Sequence, residues 1–299
     1  MSHIGTEYKL EKPVEETVLY DKVTPNIARV TFNRPEKHNA IYALEGFIEI
    51  RRKLAMAVDD DDVKVVIIRG NGPSFCTGDD LNRAPYEAFG GRPGFAPPQS
   101  KRLIGFQQIE GELVRDMIHH PKILITQAHG WVMGFGIMFV VCSDLAIAAE
   151  STRLAHYEQR ISFGGLEPCA FPMTVLHIGP KRAREWAISG RAVLPQEAKE
   201  WGLVNSVVPD DKLEEETMRW AEMVTLQSAD GLVLGKINAA LCYESMGLSA
   251  SILGGVTSHA LMTNLRWRDD EFNFLKVRTK DGASQAFKQR EERWRKLGF

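Results

Sequence analysis

Ile123 to Ala128 form an apolar run of strand character, and a glycine-bearing turn follows at once: His129-Gly130-Trp131-Val132-Met133-Gly134-Phe135-Gly136. After the turn, Ile137 to Val141 carry a helical apolar pattern, so the glycines stand where a strand gives way to a helix. The first N–H groups of a helix have no partner inside it and face outward, where they favour negative charge. This junction commits the chain to strands packed against helices. By itself it is a common α/β feature, and its meaning depends on what stands opposite.

The rest of the chain keeps the alternation. Ile27 to Phe32 reads as a strand, and Leu44, Phe47, Ile48, Leu54, Ala55 and Val58 fall at helical spacing until the acidic run Asp59 to Asp62. Val63 to Arg69 is a nearly continuous apolar run stopped by Gly70-Asn71-Gly72-Pro73, the pattern of a buried strand entering a turn. Asn82 to Ser100 holds four prolines and three glycines and reads as a loop without regular structure. Beyond about residue 180 the expected elements are helices: 181–189, 195–201, 212–227, 231–245 and 250–267. One of them carries the clean stripe Leu213, Thr217, Trp220, Ala221 and Val224. Such a tail has apolar faces that the chain's own core need not cover.

At 299 residues, 44% hydrophobic and 25% charged, the chain can bury a sizeable core. A formal charge of −2 gives no electrostatic case for nucleic acid or an acidic membrane surface. Cys76, Cys142, Cys169 and Cys242 are widely spaced and read as free buried thiols, with no metal site. Met1 to Pro13 lacks an apolar core of the signal type, and no apolar run approaches membrane-spanning length. The expectation is a cytoplasmic protein.

Five segments occur in a telling order. They are Asn33-Arg34-Pro35-Glu36-Lys37-His38-Asn39-Ala40-Ile41, Ser74-Phe75-Cys76-Thr77-Gly78-Asp79-Asp80-Leu81, the Gly134 turn, a strand over Cys142 to Ala149, and Ala198-Lys199-Glu200-Trp201-Gly202-Leu203-Val204-Asn205. With these, the chain resembles the crotonase (enoyl-CoA hydratase/isomerase) superfamily over roughly residues 25 to 280. The resemblance implies an α/β fold, a crotonase-like spiral of strand-strand-helix turns over 25–190, after a variable segment 1–24. It also implies a helical region over 191–299 that assembles a homo-oligomer, a trimer or a dimer of trimers. The implied substrate is an acyl-CoA thioester, and CoA enters as part of that substrate rather than as a separate cofactor.

Carried over position by position, the backbone N–H groups of Asp79 and Phe135 are the two donors of an oxyanion hole, a pair that polarises one thioester carbonyl. The resembled family usually has glycine where Phe135 stands, so the phenyl ring must turn away from the thioester or shape the pocket. Lys37, His38, Ala40, Thr77, Gly78 and Asp80, with Glu36, match positions along bound CoA, and Lys37 with Arg34 could neutralise phosphate. Tyr86, Phe89 and Phe95 are candidate walls of the acyl pocket.

The acid–base groups depart from the pattern. Of the two glutamates of the hydratases, the first is replaced by Met138, which has no proton to exchange; the second matches Glu158. A lone carboxylate can still move a proton from the carbon alpha to the thioester, as in double-bond isomerases and in hydratase-lyases of the hydroxycinnamoyl-CoA type. The alternative for Glu158 is a surface carboxylate paired with Arg160 or Arg153. In an extended segment His156 projects to the same face as Glu158 and could orient it. Glu167 falls one residue past a second acid of the dienoyl-CoA isomerases, or else caps a helix beginning near Cys169. Two further functions stay open: hydrolysis of a carbon–carbon bond in a cyclic diketone by a retro-Claisen route, and a catalytically inactive crotonase-fold binding protein.

Overall fold

The computed structural model describes residues 13–80, 98–161, 170–261 and 264–298. Glu167, Cys169 and the candidate pocket walls Tyr86, Phe89 and Phe95 lie outside the described residues. Among the described residues nine strands form two sheets: β1 (Val18–Thr24), β2 (Ile27–Phe32), β3 (Val65–Gly70), β4 (Ile123–Ala128), β5 (Trp131–Met133), β6 (Leu145–Ala149), β7 (Arg153–Ala155), β8 (Ala192–Val193) and β9 (Ser206–Val208). The larger sheet runs β1-β2-β3-β4-β6-β9, parallel except for the β1–β2 hairpin, and the smaller runs β5-β7-β8.

The strands β2, β3 and β4 are buried almost throughout because both faces of the large sheet are covered. On one face Val30, Ile68, Phe75 and Phe139 belong to the main core. On the other, Ile27, Val65, Ile67, Ile125 and Ile147 meet Leu213, Ala221 and Val224 of the helix Leu213–Thr225. The clean stripe read on this helix is therefore covered by the chain's own sheet.

Each crossover makes the same three-part turn. A strand of the large sheet is followed by a short extended piece of the second sheet's line, and a helix then returns. β4, β5 and Gly136–Cys142 form one such unit, and β6, β7 and Ala170–Ser189 form the next. In the two earlier turns the short piece shrinks to isolated bridging residues: Cys76 pairs with Val132, and Ile41 pairs with Asp79. The result is a spiral whose short pieces stack in register. The large sheet does not end at residue 190, since β9 adds its last strand beyond that point.

Several elements differ in extent from the sequence reading. The segment 142–149 is the end of one helix followed by β6. The helix reaching Ser189 starts at Ala170 and kinks at Gly179 (φ +77°) before Pro180, where the ring cannot supply a helical N–H. The helix expected over 250–267 runs Leu248–Leu261, and two more follow, Phe274–Asp281 and Ala283–Arg295. Gln99–Ile118 is helical with a π turn at Gln107–Gly111, so Gln99 and Ser100 belong to a helix rather than to the loop read over Asn82 to Ser100. Cys242 is exposed, unlike the buried thiols Cys76 and Cys142. No helix among the described residues is long and apolar enough to cross a membrane.

Candidate active site

The segment Arg34–Ala40 is fastened onto the loop 74–80 by polar side chains. Asn39 accepts from the Arg34 N–H (2.8 Å) and donates to the Asn71 and Ser74 carbonyls, both at 2.8 Å. His38 Nδ1 lies 3.0 Å from Ser74 Oγ, and Thr77 Oγ1 donates to the His38 carbonyl. His38 and Asn39 both adopt positive φ, 50° and 56°, a local strain held by these bonds. Lys37, His38, Ala40, Thr77, Gly78 and Asp80 are thus brought to one place. Arg34 is not available for phosphate: its guanidinium is buried between the Asp80 carboxylate (3.0 Å) and the Ala40 carbonyl (2.6 Å).

The same loop presses against the glycine turn. A Cβ on Gly136 would lie 2.4 Å from the Cys76 carbonyl oxygen, and one on Gly78 (φ +77°) 2.9 Å from the Phe135 nitrogen. Only glycine fits either position. The Gly78 carbonyl accepts from Ile41 and the Asp80 N–H donates to Ile41, so in this extended stretch the Asp79 N–H points to the opposite side. Phe135 precedes the helix Gly136–Cys142, and its N–H is one of that helix's outward-facing donors. Two main-chain donors therefore stand on adjoining turns. The Phe135 side chain turns away from them into the core, edge-on to Phe47 at 4.8 Å and Phe139 at 5.7 Å.

Glu158 opens a 3-10 turn directly after β7, with 12% of its side chain exposed. Its Oε2 lies 3.2 Å from His156 Nδ1, so the two meet through a turn rather than along an extended strand. The His156 ring sits edge-on to Trp186 at 4.8 Å. Neither arginine considered as a partner takes Glu158: Arg160 donates to the Ser189 carbonyl and reaches Glu291, and Arg153 donates to the Glu150 and Thr152 carbonyls. Met138 is fully buried in its helix. Asp144, a strand-start carboxylate, is bound at 2.8 Å by Lys236 and accepts from the Leu124 N–H.

Electrostatics tie the site together. The Asp79 carboxyl is pushed up to about 7, first by loss of water around it and then by the negative charge of Glu110, with His259 opposing and Glu158 and Asp80 adding to the shift. Glu110 and His259 were not singled out from the sequence. The signal was present: Glu110 stands at i+4 from Phe106 and i−3 from Leu113, on the apolar stripe. A carboxylate in such a stripe is out of place unless something pairs it. No cluster of metal-ligating side chains occurs among the described residues.

A family model for enoyl-CoA hydratase/isomerase matches residues 22–240. EchA13 of Mycobacterium tuberculosis, which carries an enoyl-CoA hydratase name, is 29% identical over 260 residues, covering 82% of this chain and 80% of that protein. The crystal structure of an enoyl-CoA hydratase/isomerase from Xanthobacter autotrophicus Py2 is similar with a TM-score of 0.75 at 26% identity, over 93% of this chain and 98% of that one. An enoyl-CoA hydratase from Mycobacterium smegmatis shares the fold with a TM-score of 0.79 at 24% identity, over 92% and 93% of the two chains.

Proposed function

We propose that this chain, which belongs to the enoyl-CoA hydratase/isomerase family, holds the enolate of an acyl-CoA thioester on the N–H groups of Asp79 and Phe135 while Glu158 moves the proton at the alpha carbon. The observation that carries this reading is the contact of the Gly78–Asp79 loop with the Gly134–Phe135 turn, which leaves two main-chain donors facing away from the core. Donors fixed by the backbone need no reorganisation when charge develops on the thioester oxygen. Lys37, His38, Ala40, Thr77, Gly78 and Asp80 form the surface along which CoA lies. The CoA belongs to the substrate, and no further cofactor is invoked.

Glu158 is mostly shielded from water and close to a histidine, a setting suited to a group that gives and takes a proton. The His156–Glu158 contact also favours a second reading, carbon–carbon bond hydrolysis of a cyclic diketone. Calorimetry with acetoacetyl-CoA separates the two. Binding supports the thioester reading; binding of a free cyclic diketone, with no heat from acetoacetyl-CoA, supports the other. Binding of acetoacetyl-CoA without turnover of any enoyl-CoA supports an inactive binding protein.

The chain also carries an uncovered apolar row. Leu234, Ile237 and Leu241 recur at helical spacing on Ala229–Ser245 and are 61%, 49% and 59% exposed. A homo-oligomer, a trimer or a dimer of trimers, is the assembly that fits this row.

A further inference from the structure

Met138 leaves the helix after the glycine turn without a proton-carrying group, yet a second ionisable pair stands beside the site. Glu110 comes from the π turn Gln107–Gly111 and His259 from the helix Leu248–Leu261, which packs across it. Their Oε2 and Nδ1 atoms are 3.2 Å apart. The Glu110 side chain is buried, and neither atom has a hydrogen-bond partner among the described residues.

Three features fix the pair in place. The π turn inserts an extra residue into the helix, a costly irregularity that recurs at functional sites. Gly111 allows close approach of the crossing helix, since a Cβ there would lie 3.2 Å from Val256 and 3.5 Å from Ile252. Phe106 stacks on the imidazole at 4.1 Å between ring centroids. A buried ion pair of this kind is commonly no more stabilising than apolar residues of the same volume. Stability alone does not account for it.

We propose that His259, held by Glu110, is the second acid–base group of this site, acting on a reacting carbon that Glu158 does not serve. The inference rests on the thioester reading above. With Nδ1 turned to the carboxylate, ring geometry places Nε2 on the opposite edge, and the side chain keeps 13% exposure. Glu110 is then a positioning residue that fixes the tautomer. Burial alone favours neutral imidazole, but Glu110, followed by Asp79 and Glu158, raises its affinity for the proton above the ordinary histidine value. Asp79 and Glu158 are thus among the charges that act on the imidazole.

In a β,γ-unsaturated thioester the step balances without an oxidant. Glu158 takes the alpha proton and the C–H electron pair enters the conjugated enolate. The Nε2–H bond of the imidazolium then breaks as a C–H bond forms at the gamma carbon, and the electron pair returns to give the α,β double bond. Protonated Glu158 and neutral His259 reset by exchange with solvent.

The test uses the full chain with trans-3-hexenoyl-CoA in D2O, and follows alpha-proton exchange of butyryl-CoA in parallel. The wild-type protein should place solvent deuterium at the gamma carbon. His259→Gln should slow conversion by about 100-fold, the usual contribution of a positioned acid, while alpha exchange, which needs Glu158, persists. Glu110→Gln should move the alkaline limb of the rate profile to lower pH, because the imidazole then loses its proton more readily. Glu110→Gln combined with His259→Gln leaves neither member of the pair charged; recovery of folding without recovery of conversion supports the proposal. Full conversion by His259→Gln, a gamma hydrogen derived from the substrate's own alpha position, or alpha exchange with no conversion of any enoyl-CoA would each overturn it. A wild-type protein that neither binds acetoacetyl-CoA nor exchanges alpha protons defeats the thioester reading instead.

Discussion

Arg34 reaches Asp80, 46 residues further along the chain, and at the same time donates to the Ala40 carbonyl, so one buried guanidinium ties the first functional segment to the second. Removing it breaks a largely buried ion pair with Asp80 and a bond to the Ala40 carbonyl. Arg34→Met should therefore lower unfolding stability by about 3 kcal/mol, the lower end for breaking a buried pair. Urea denaturation measures it; a loss within experimental error of zero would show that water replaces the guanidinium.

Gly136 and Gly235 make a matched pair. Gly136→Ala puts a methyl group against the Cys76 carbonyl and should separate the two turns that carry Asp79 and Phe135, weakening acetoacetyl-CoA binding at least tenfold, about 1.4 kcal/mol. Gly235, within Ala229–Ser245, has open space where its Cβ would be, and Gly235→Ala should stabilise the monomer unit by about 1 kcal/mol. Unchanged binding in the first variant would mean that the turns can shift without consequence.

Glu158→Gln keeps size and hydrogen-bonding capacity but removes the proton acceptor. Turnover should fall by about 100-fold or more with acetoacetyl-CoA affinity preserved. Glu167→Gln, read from the sequence as the alternative acid, serves as the comparison. If it abolishes turnover and Glu158→Gln does not, the base has been assigned to the wrong glutamate.

The Asp79 carboxyl binds its proton up to about 7 in the folded chain against an ordinary 3.8. Between those values the folded state holds more protons at this group than the unfolded state, so its contribution to stability is present below the ordinary value and is lost as pH rises toward 7. Asp79→Asn should flatten that decline when denaturation midpoints are compared from pH 4 to pH 7. An unchanged slope would place the proton elsewhere in the cluster.

Light scattering on dilute protein should give a mass several times 33.6 kDa. Ile237→Glu, in the middle of the uncovered row, should shift it to the single-chain value. A wild-type protein that is already monomeric at micromolar concentration would remove the oligomer from this account.

The glycine turn was legible because glycines between a strand and a helix mark a turn locally, whereas the tertiary contacts that require Gly78 (against Phe135) and Gly136 (against Cys76) were not. The strands β2, β3 and β4 and the helices Ala43–Val58 and Pro195–Trp201 were legible from apolar patterning, whereas β1, the short strands β5, β7 and β8 and the helix Gln99–Ile118 were not. The stripe of Leu213–Thr225 was visible too, but whether a sheet or another subunit covers it depends on the path of the chain. The pair Glu110–His259 was harder still. Each residue lies on an otherwise apolar stripe, Glu110 with Phe106 and Leu113, His259 with Ile252 and Val256, and the residue that pairs it is far away in sequence. Met138 hid the need for such a pair, since a buried methionine explains itself as core.

The late arrival of Leu213–Thr225 sets a condition on how the chain is made. Ile27, Val65, Ile67, Ile125 and Ile147 share one face of the sheet, and the helix that covers them is synthesised after all of them. At about 5–20 residues per second, the interval between β3 and this helix is roughly seven to thirty seconds. For that time the nascent sheet presents a flat row of β-branched side chains to water. The ribosome-bound chain is then most exposed to chaperones and to its neighbours on the same message.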